Sequence, residues 1–175
     1  MRYIIISCVL AMIAISSKGG GNPPRFTGTD SNCEVDICIK GVNKESAGYK
    51  LRKYVLAHGI DPLELYALVQ VESNWKPNAI GADDERGLGQ LKVGTAAEVG
   101  LAEDDILDPI ENIKGTVRNL KRCKDKYGKE YLRCHNGGIG WKFIKDPARK
   151  EIVAKNTLIY QGKIKTLVNL LKQSS

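Results

Sequence analysis

The sequence predicts a mainly α domain preceded by an irregular N-terminal extension. Three observations carry this. Apolar residues recur at spacings of three and four in several windows, the period of an amphipathic helix. No run alternates apolar and polar residues for more than a few positions, as a half-buried strand would, and no internal repeat is visible. Helix starts and stops are also written out, as Asp-Pro pairs at 61–62 and 108–109 and single glycines at 59, 100 and 128. The chain has 175 residues, enough for one domain with a real core plus an extension. The charged fraction of 27% and the apolar fraction of 42% are those of an ordinary globular protein. A net charge of +7 favours a polyanionic partner, which nucleic acid and a cell-wall polymer both satisfy. Only two Phe are present, and no basic run carries the interleaved aromatics of a single-strand platform, so nucleic acid is not expected.

Residues 1–17 read as a secretory signal. Arg2 supplies the charged start, Tyr3 to Ile15 is an almost unbroken apolar run, and Ala14-Ile15-Ser16 offers small residues for cleavage. The alternative is an uncleaved N-terminal anchor, the one case in which a membrane would be a partner. Residues 18–44 read as a linker or arm, with Gly19-Gly20-Gly21 and Pro23-Pro24. The domain then occupies 45–175. Glu45 to His58 suits a helix with Tyr49, Leu51, Val55 and Leu56 as apolar contacts, stopped by Gly59. Asp61 can cap a second helix, with Pro62 in its first turn. Thr95 can cap a short helix through Val99, and 102–107 is an acidic loop. Asp108-Pro109-Ile110-Glu111 opens a helix whose Ile110, Ile113, Val117, Leu120 and Tyr127 keep a helical period up to Gly128. A segment from Glu130 leads into His135-Asn136-Gly137-Gly138, and 156–172 forms the last helix.

The stretch with the most chemistry is 65–96. Leu65, Leu68 and Glu72 share one helical face, which puts a carboxylate at the end of an apolar stripe. Glu72 either ends the stripe and reaches solvent, or is a carboxylic acid kept protonated by desolvation so that it can donate a proton near neutral pH. Trp75 and Pro77 break the helical pattern, and a Gly-rich, charged loop follows from Gly81 to Gly89. Gly87 and Gly89 permit close backbone approach to a ligand, and Gln90 adds an amide that can bond a sugar hydroxyl or N-acetyl group.

These pieces resemble the soluble lytic transglycosylase family, which has the lysozyme-like fold. That family carries Glu-Ser at a helix end, then aromatic-x-Pro-x-Ala, then Gly-Leu-Met-Gln, then Thr-Ala. Here the same order runs Glu72-Ser73, Trp75-Lys76-Pro77-Asn78-Ala79, Gly87-Leu88-Gly89-Gln90 and Thr95-Ala96. The resemblance covers roughly 60–165. It implies a lysozyme-like domain, Glu72 as catalytic residue, and Ser73, Gln90, Asn136, Gly138 and Tyr160 as substrate-binding residues. Asn136-Gly137-Gly138 matches the family's Tyr-Asn-Gly-Gly motif, but His135 stands where the family has Tyr. A lone His carries little information, and His135 is read as a loop residue, with a catalyst as the alternative. Tyr160 best matches a Tyr of the last helix that approaches the catalytic Glu; the alternative is a core tyrosine. Gly89 replaces the family's Met, which would remove a side chain lining the cleft, and Val93 replaces a Pro.

The implied reaction needs one carboxylate and no cofactor or metal. Glu72 would protonate the oxygen between N-acetylmuramic acid and N-acetylglucosamine, and the sugar's own N-acetyl carbonyl would stabilise the anomeric cation. Glu72 would then take the proton of the muramic C6 hydroxyl, closing a 1,6-anhydro ring. A hydrolytic muramidase would instead need a second carboxylate, which Asp83, Asp84 or Glu85 could supply; the alternative for these three is a solvated acidic loop. A wall-binding module without chemistry is the remaining alternative. The partner implied is the peptidoglycan glycan strand, with service to a larger envelope-spanning or virion assembly as a further expectation, and the signal implies export to the periplasm or cell envelope.

Cys8 would leave with the signal. Cys33, Cys38, Cys123 and Cys134 remain, an even set that suggests two disulfides in an exported protein. Closeness in sequence favours Cys33–Cys38 and Cys123–Cys134. A zinc site using these residues with His135 is the rival, although the spacing matches no common finger.

Overall fold

The computed structural model describes residues 44–173. The expected signal, the expected linker up to residue 43, and Cys33 and Cys38 lie outside the described residues; Lys44, expected as the end of the linker, is the first residue of a helix. Six α-helices follow in order: α1 Lys44–Ala57, α2 Pro62–Ser73, α3 Val93–Glu98, α4 Pro109–Tyr127, α5 Tyr131–Gly137 and α6 Pro147–Gln173. Single 3₁₀ turns lie at Glu103–Asp105, Gly128–Glu130 and Trp141–Phe143. Extended pairing among the described residues is limited to isolated bridges, Ile80 with Arg86 and Arg86 with Leu91.

The central element is α2. Asp61 accepts the Leu63 N–H at 2.9 Å and Pro62 takes the first turn, so the start follows from local chemistry. Leu65, Tyr66, Ala67, Leu68 and Val69 are consecutive and all buried, so the helix is enclosed rather than striped. α6 and α1 pack against it. α4 begins as expected, with Asp108 Oδ1 accepting from the Ile110 and Glu111 N–H groups. It buries Ile113, Val117, Leu120 and Cys123 toward the same core.

Several local expectations are corrected. Leu56 is exposed rather than a core contact of α1, whereas Leu51 and Val55 are buried. α3 starts at Val93, so Thr95 lies inside the helix and is not its cap; Lys92 holds that position without a side-chain bond. α6 starts nine residues before the expected 156. Asp146 Oδ1 accepts the Arg149 N–H at 2.6 Å and Pro147 follows it, which opens a helix there. The turns that follow, 148–152, are exposed on all sides and give no periodicity to read.

The buried face of α6 is Thr157, Tyr160, Gln161, Ile164 and Val168. Two contacts set its register. Arg133 of α5 bonds Thr157 Oγ1 at 3.3 Å and the Ala154 carbonyl at 3.2 Å, with its guanidinium over the Trp141 ring at 4.3 Å. Gln161 Nε2 donates to the Lys129 carbonyl at 2.8 Å. On its other side α5 is held to α4 by the Cys123–Cys134 disulfide, with Cα atoms 5.7 Å apart. That pairing is the one favoured by closeness in sequence, and it removes two ligands from the zinc alternative.

A seven-residue helix has little stability of its own, so α5 depends on these ties. Cys123→Ala with Cys134→Ala should lower stability by about 2–4 kcal/mol, the usual worth of a bridge closing a short loop. Urea unfolding in the absence of reductant measures it. A loss under about 0.5 kcal/mol would show that packing alone holds α5.

Candidate active site

Glu72 lies in the last turn of α2, with its side chain 16% exposed. Tyr160 Oη donates to Glu72 Oε1 at 2.5 Å. His135 Nε2 lies 3.3 Å from the same oxygen, on a side chain only 3% exposed. Asn119 Nδ2 is 3.1 Å from His135 Nδ1, and the His135 and Tyr160 rings stack with centroids 6.4 Å apart. Four helices thus contribute one side chain each: α2, α4, α5 and α6. No described residue bonds Glu72 Oε2. Burial, with the Glu72 charge beside it, holds the Tyr160 hydroxyl well above the usual tyrosine range. Tyr160 therefore stays protonated and remains a donor. With the Tyr160 hydroxyl and the His135 ring nitrogen both on Oε1, Oε2 is the oxygen left open for proton exchange.

The chain after Glu72 turns sharply. Asn74 and Trp75 adopt left-handed backbone, φ 50° and 60°, an uncommon conformation for so bulky a residue as Trp. The Trp75 ring packs on Tyr66 at 4.7 Å, and Gln70 Nε2 donates to Asn74 Oδ1 at 2.5 Å. The loop that follows is braced internally. Asp84 pairs with Arg86 through two bonds of 3.0 and 2.9 Å, and Arg86 also reaches Glu103 at 3.2 Å. Lys92 reaches Asp83 at 3.5 Å and Glu85 at 3.3 Å. The Arg86 guanidinium holds the Asp84 carboxyl below its ordinary range. All three acids of the loop are thus paired with cations of the same segment.

A polar stripe on α4 organises both parts. Asn112, Thr116 and Asn119 are buried at spacings of four and three, on one helical face. Asn112 Oδ1 accepts the Gly89 N–H at 2.8 Å, while its Nδ2 donates to the carbonyls of Arg86 at 3.0 Å and Ile106 at 2.7 Å. Gly87 has φ +76°, and a Cβ there would meet Asn112 Nδ2 at 2.3 Å, so glycine is required twice over. A Cβ on Gly89 would meet Thr116 Oγ1 at 1.9 Å. This corrects the expectation that Gly89 vacates part of the cleft: position 89 is buried and aimed at Thr116, so Gly89 and Thr116 fit as a pair.

The structure brings Glu72 and Tyr160 together as the resemblance implied. His135, read as a loop residue, is the correction: α5 carries it, and it is buried against Glu72. Gln90, with φ 48°, spends its amide N–H groups on the Gly87 carbonyl at 2.8 Å and the Ala79 carbonyl at 3.2 Å; its Oε1 has no partner among the described residues. Ser73 is buried and donates to the Val69 carbonyl of its own helix at 3.1 Å. Asn136 is exposed beside His135, and Gly138 leaves the helix with φ +78°. Asn112 and Asn119 were missed. Uncharged polar residues at 112, 116 and 119 beside the apolar 113, 117 and 120 were the available signal. A surface hollow of about 700 Å³ by His58, Arg122 and Lys126 shares no residue with this network.

Comparison with known proteins agrees with this geometry. The transglycosylase SLT domain family model matches residues 51–146, and the chain belongs to that family. It is 37% identical over 82 residues to membrane-bound lytic murein transglycosylase F of Shewanella sediminis, covering 47% of this chain and 17% of that protein. It is 29% identical over 119 residues to a transglycosylase of Enterobacteria phage PRD1, covering 65% of this chain and 40% of that protein. In fold it is similar to lytic transglycosylase Slt of Pseudomonas aeruginosa, with a TM-score of 0.58 at 17% identity over 71% of this chain and 24% of that one. The fold is therefore mainly α and lysozyme-like. The chain spans well under half the length of each of these relatives.

Two outcomes follow from the geometry. Gly89→Ala should cost about 1–3 kcal/mol by overpacking, and Thr116→Gly should relieve it. In a double-mutant cycle by urea unfolding, additivity within about 0.5 kcal/mol would show that the two positions do not compete for space. The second concerns alkali. Burial raises both Tyr160 and Tyr131, the latter also bonded to Glu64. The unfolded chain ionises its tyrosines near pH 10 while these two stay neutral when folded, so their contribution is complete below about pH 10 and lost as pH rises above it. Spectrophotometric tyrosinate titration should show Tyr160 and Tyr131 ionising only on unfolding.

Proposed function

We propose that this chain is a peptidoglycan lytic transglycosylase, cleaving the β-1,4 bond between N-acetylmuramic acid and N-acetylglucosamine with Glu72 as the single catalytic carboxylate. The observation that carries this reading is the isolation of Glu72. Among the described residues it is the sole carboxylate in its network, while Asp83, Asp84 and Glu85 are committed to Arg86 and Lys92. The names of the relatives, lytic murein transglycosylase among them, support the same substrate.

The chemistry follows from the two oxygens of Glu72. Oε1 keeps its donors, and Oε2 gives a proton to the glycosidic oxygen. The sugar's N-acetyl carbonyl shields the anomeric cation, as in substrate-assisted glycosidases. Oε2 then accepts the proton of the muramic C6 hydroxyl, whose oxygen closes on the anomeric carbon. No water enters, and the internal hydroxyl avoids the entropic cost of capturing one. Gln90 Oε1, Ser73, Asn136 and the backbone at Gly138 are the proposed contacts to the glycan. We further propose export to the cell envelope on the strength of the signal-like residues 1–17, and use by an envelope-spanning or virion assembly, to which the phage relative lends support. Among the described residues no helix is long and apolar enough to cross a membrane.

Mass spectrometry of a digest of purified cell walls tests the reaction. The products should be 1,6-anhydromuropeptides, lighter by one water than muramidase products and without a reducing end. Glu72→Gln should fold yet lose about 10²–10⁴-fold in activity, the usual worth of general acid–base catalysis. Asp83→Asn, Asp84→Asn and Glu85→Gln together should leave most activity. Reducing-end muramic acid as the main product, or a triple variant as inactive as Glu72→Gln, would establish the hydrolase instead. A folded wild type with no wall-degrading activity would leave the non-catalytic wall-binding module.

A further inference from the structure

The buried imidazole of His135 has a fixed partner at each nitrogen. On one side is Asn119 Nδ2, at 3.1 Å from Nδ1. An amide nitrogen can only donate, so Nδ1 must offer its lone pair. The ring proton is then on Nε2, where Glu72 Oε1 lies at 3.3 Å and can only accept while ionised. The chain Asn119 → His135 → Glu72 is thus directional, and it needs a neutral ring. An imidazolium would set an N–H against the Asn119 amide.

The scaffold around the ring serves the same placement. Asn119 is 4% exposed, and Cys123 lies one turn further along α4. Cys123 is bonded to Cys134, the neighbour of His135. The disulfide therefore brings the two halves of the Asn119–His135 contact together. Tyr160 stacks on the far side of the ring and donates to the same carboxylate oxygen. Glu72, His135 and Tyr160 are the titratable groups in mutual contact here, drawn from α2, α5 and α6. The neighbour from α4, Asn119, carries no charge. Arg133, on the same helix as His135, is spent on Glu130, Thr157 and the Ala154 carbonyl.

We propose that His135 is a positioning residue for Glu72: Asn119 holds it as the neutral Nε2–H tautomer, and its Nε2–H donates to Oε1 throughout the cycle, so that proton exchange with the substrate is confined to Oε2. The inference rests on the functional reading above. Tyr160 and His135 together aim the carboxylate through Oε1. When Glu72 is protonated at Oε2, Oε1 is a carbonyl-type oxygen and still accepts both bonds. When Glu72 is ionised, the two donors stabilise the charge. The Tyr that the resemblance leads one to expect at 135 has no second nitrogen for Asn119 to hold, so the relay belongs to this sequence rather than to the family pattern.

Two measurements test it. The first needs no activity: ¹⁵N-detected imidazole spectra of wild type at neutral pH should show His135 with a protonated Nε2 and a bare Nδ1. The Nδ1–H tautomer, or an imidazolium, would mean that the Asn119 carbonyl rather than its amide faces the ring, and would overturn the inference. The second compares variants. His135→Leu should lower kcat about 10- to 100-fold with KM within about twofold, the scale expected for a displaced catalytic group. It should also move the alkaline limb of kcat/KM to higher pH, because Glu72 loses a donor to its ionised form. His135→Gln keeps an N–H where Nε2 was and should stay within about fivefold of wild type with the limb restored. Equal losses in the Leu and Gln variants, or a Leu variant with wild-type kcat and limb, would sink the positioning role. If wild type gives no anhydro product, the functional reading fails while the tautomer result stands, so the two failures are distinguishable.

Discussion

Glu72 Oε1 accepts from Tyr160 at 2.5 Å and lies 3.3 Å from His135, at the place where α2 meets α5 and α6. A carboxylate with 16% exposure has lost most of its water, and its charge is costly unless other donors replace it. A hydrogen bond to a charged group contributes about 1.5–3 kcal/mol, so two of them offset a substantial part of that loss. Each donor is rigid only if its helix is. That requirement explains why α6 is registered by Thr157 and Gln161 on either side of Tyr160, and why a helix as short as α5 carries both a disulfide and the multiply bonded Arg133.

The second constraint runs along α4. Asn112, Thr116 and Asn119 replace what would otherwise be an apolar face. Asn112 makes three hydrogen bonds, using its carbonyl once and both amide hydrogens, so burying it leaves its donors satisfied. Its partners are backbone groups of the Gly-rich loop and of the turn before α4. The loop is thereby fixed to the same helix that positions His135. Glycine at 87 and 89 is the steric counterpart: both sites lie so close to Asn112 and Thr116 that no Cβ fits. The glycines that looked suited to ligand approach are first required for approach to α4.

The sequence carried the fold class, the Asp-Pro helix starts, the Cys123–Cys134 pairing and the carboxylate at the end of α2. These are signals written within a few residues of one another, in period, caps and spacing. The start of α6 was missed although Asp146-Pro147 repeats the Asp-Pro signal, because the exposed first turns after it have no apolar face to mark a helix. His135 was undervalued for a different reason. Its significance lies in contacts with Glu72 and Asn119, sixty-three positions before and sixteen positions before in the chain respectively, and no local pattern encodes them. Asn112 and Asn119 were legible in principle: polar but uncharged residues repeating on one face of an amphipathic helix are rarely a solvated surface, which favours Lys and Glu.

The pairing of the loop acids bears on the proposal that one carboxylate suffices. An unpaired Asp or Glu facing the cleft would repel the ionised form of Glu72 and could also hold a water against the anomeric carbon. Here Arg86 joins Asp84 to Glu103, and Lys92 joins Asp83 to Glu85, all on exposed or half-exposed side chains. Single exposed pairs contribute little to stability, about 0–1 kcal/mol each. Their effect on charge is larger than their effect on stability. Arg86 and Lys92 answer part of the negative charge of the three acids, and Glu72 is left as the carboxylate of the site with no Lys or Arg partner among the described residues. The neutral His135 proposed above fits that arrangement, because it supplies a donor without adding a positive charge.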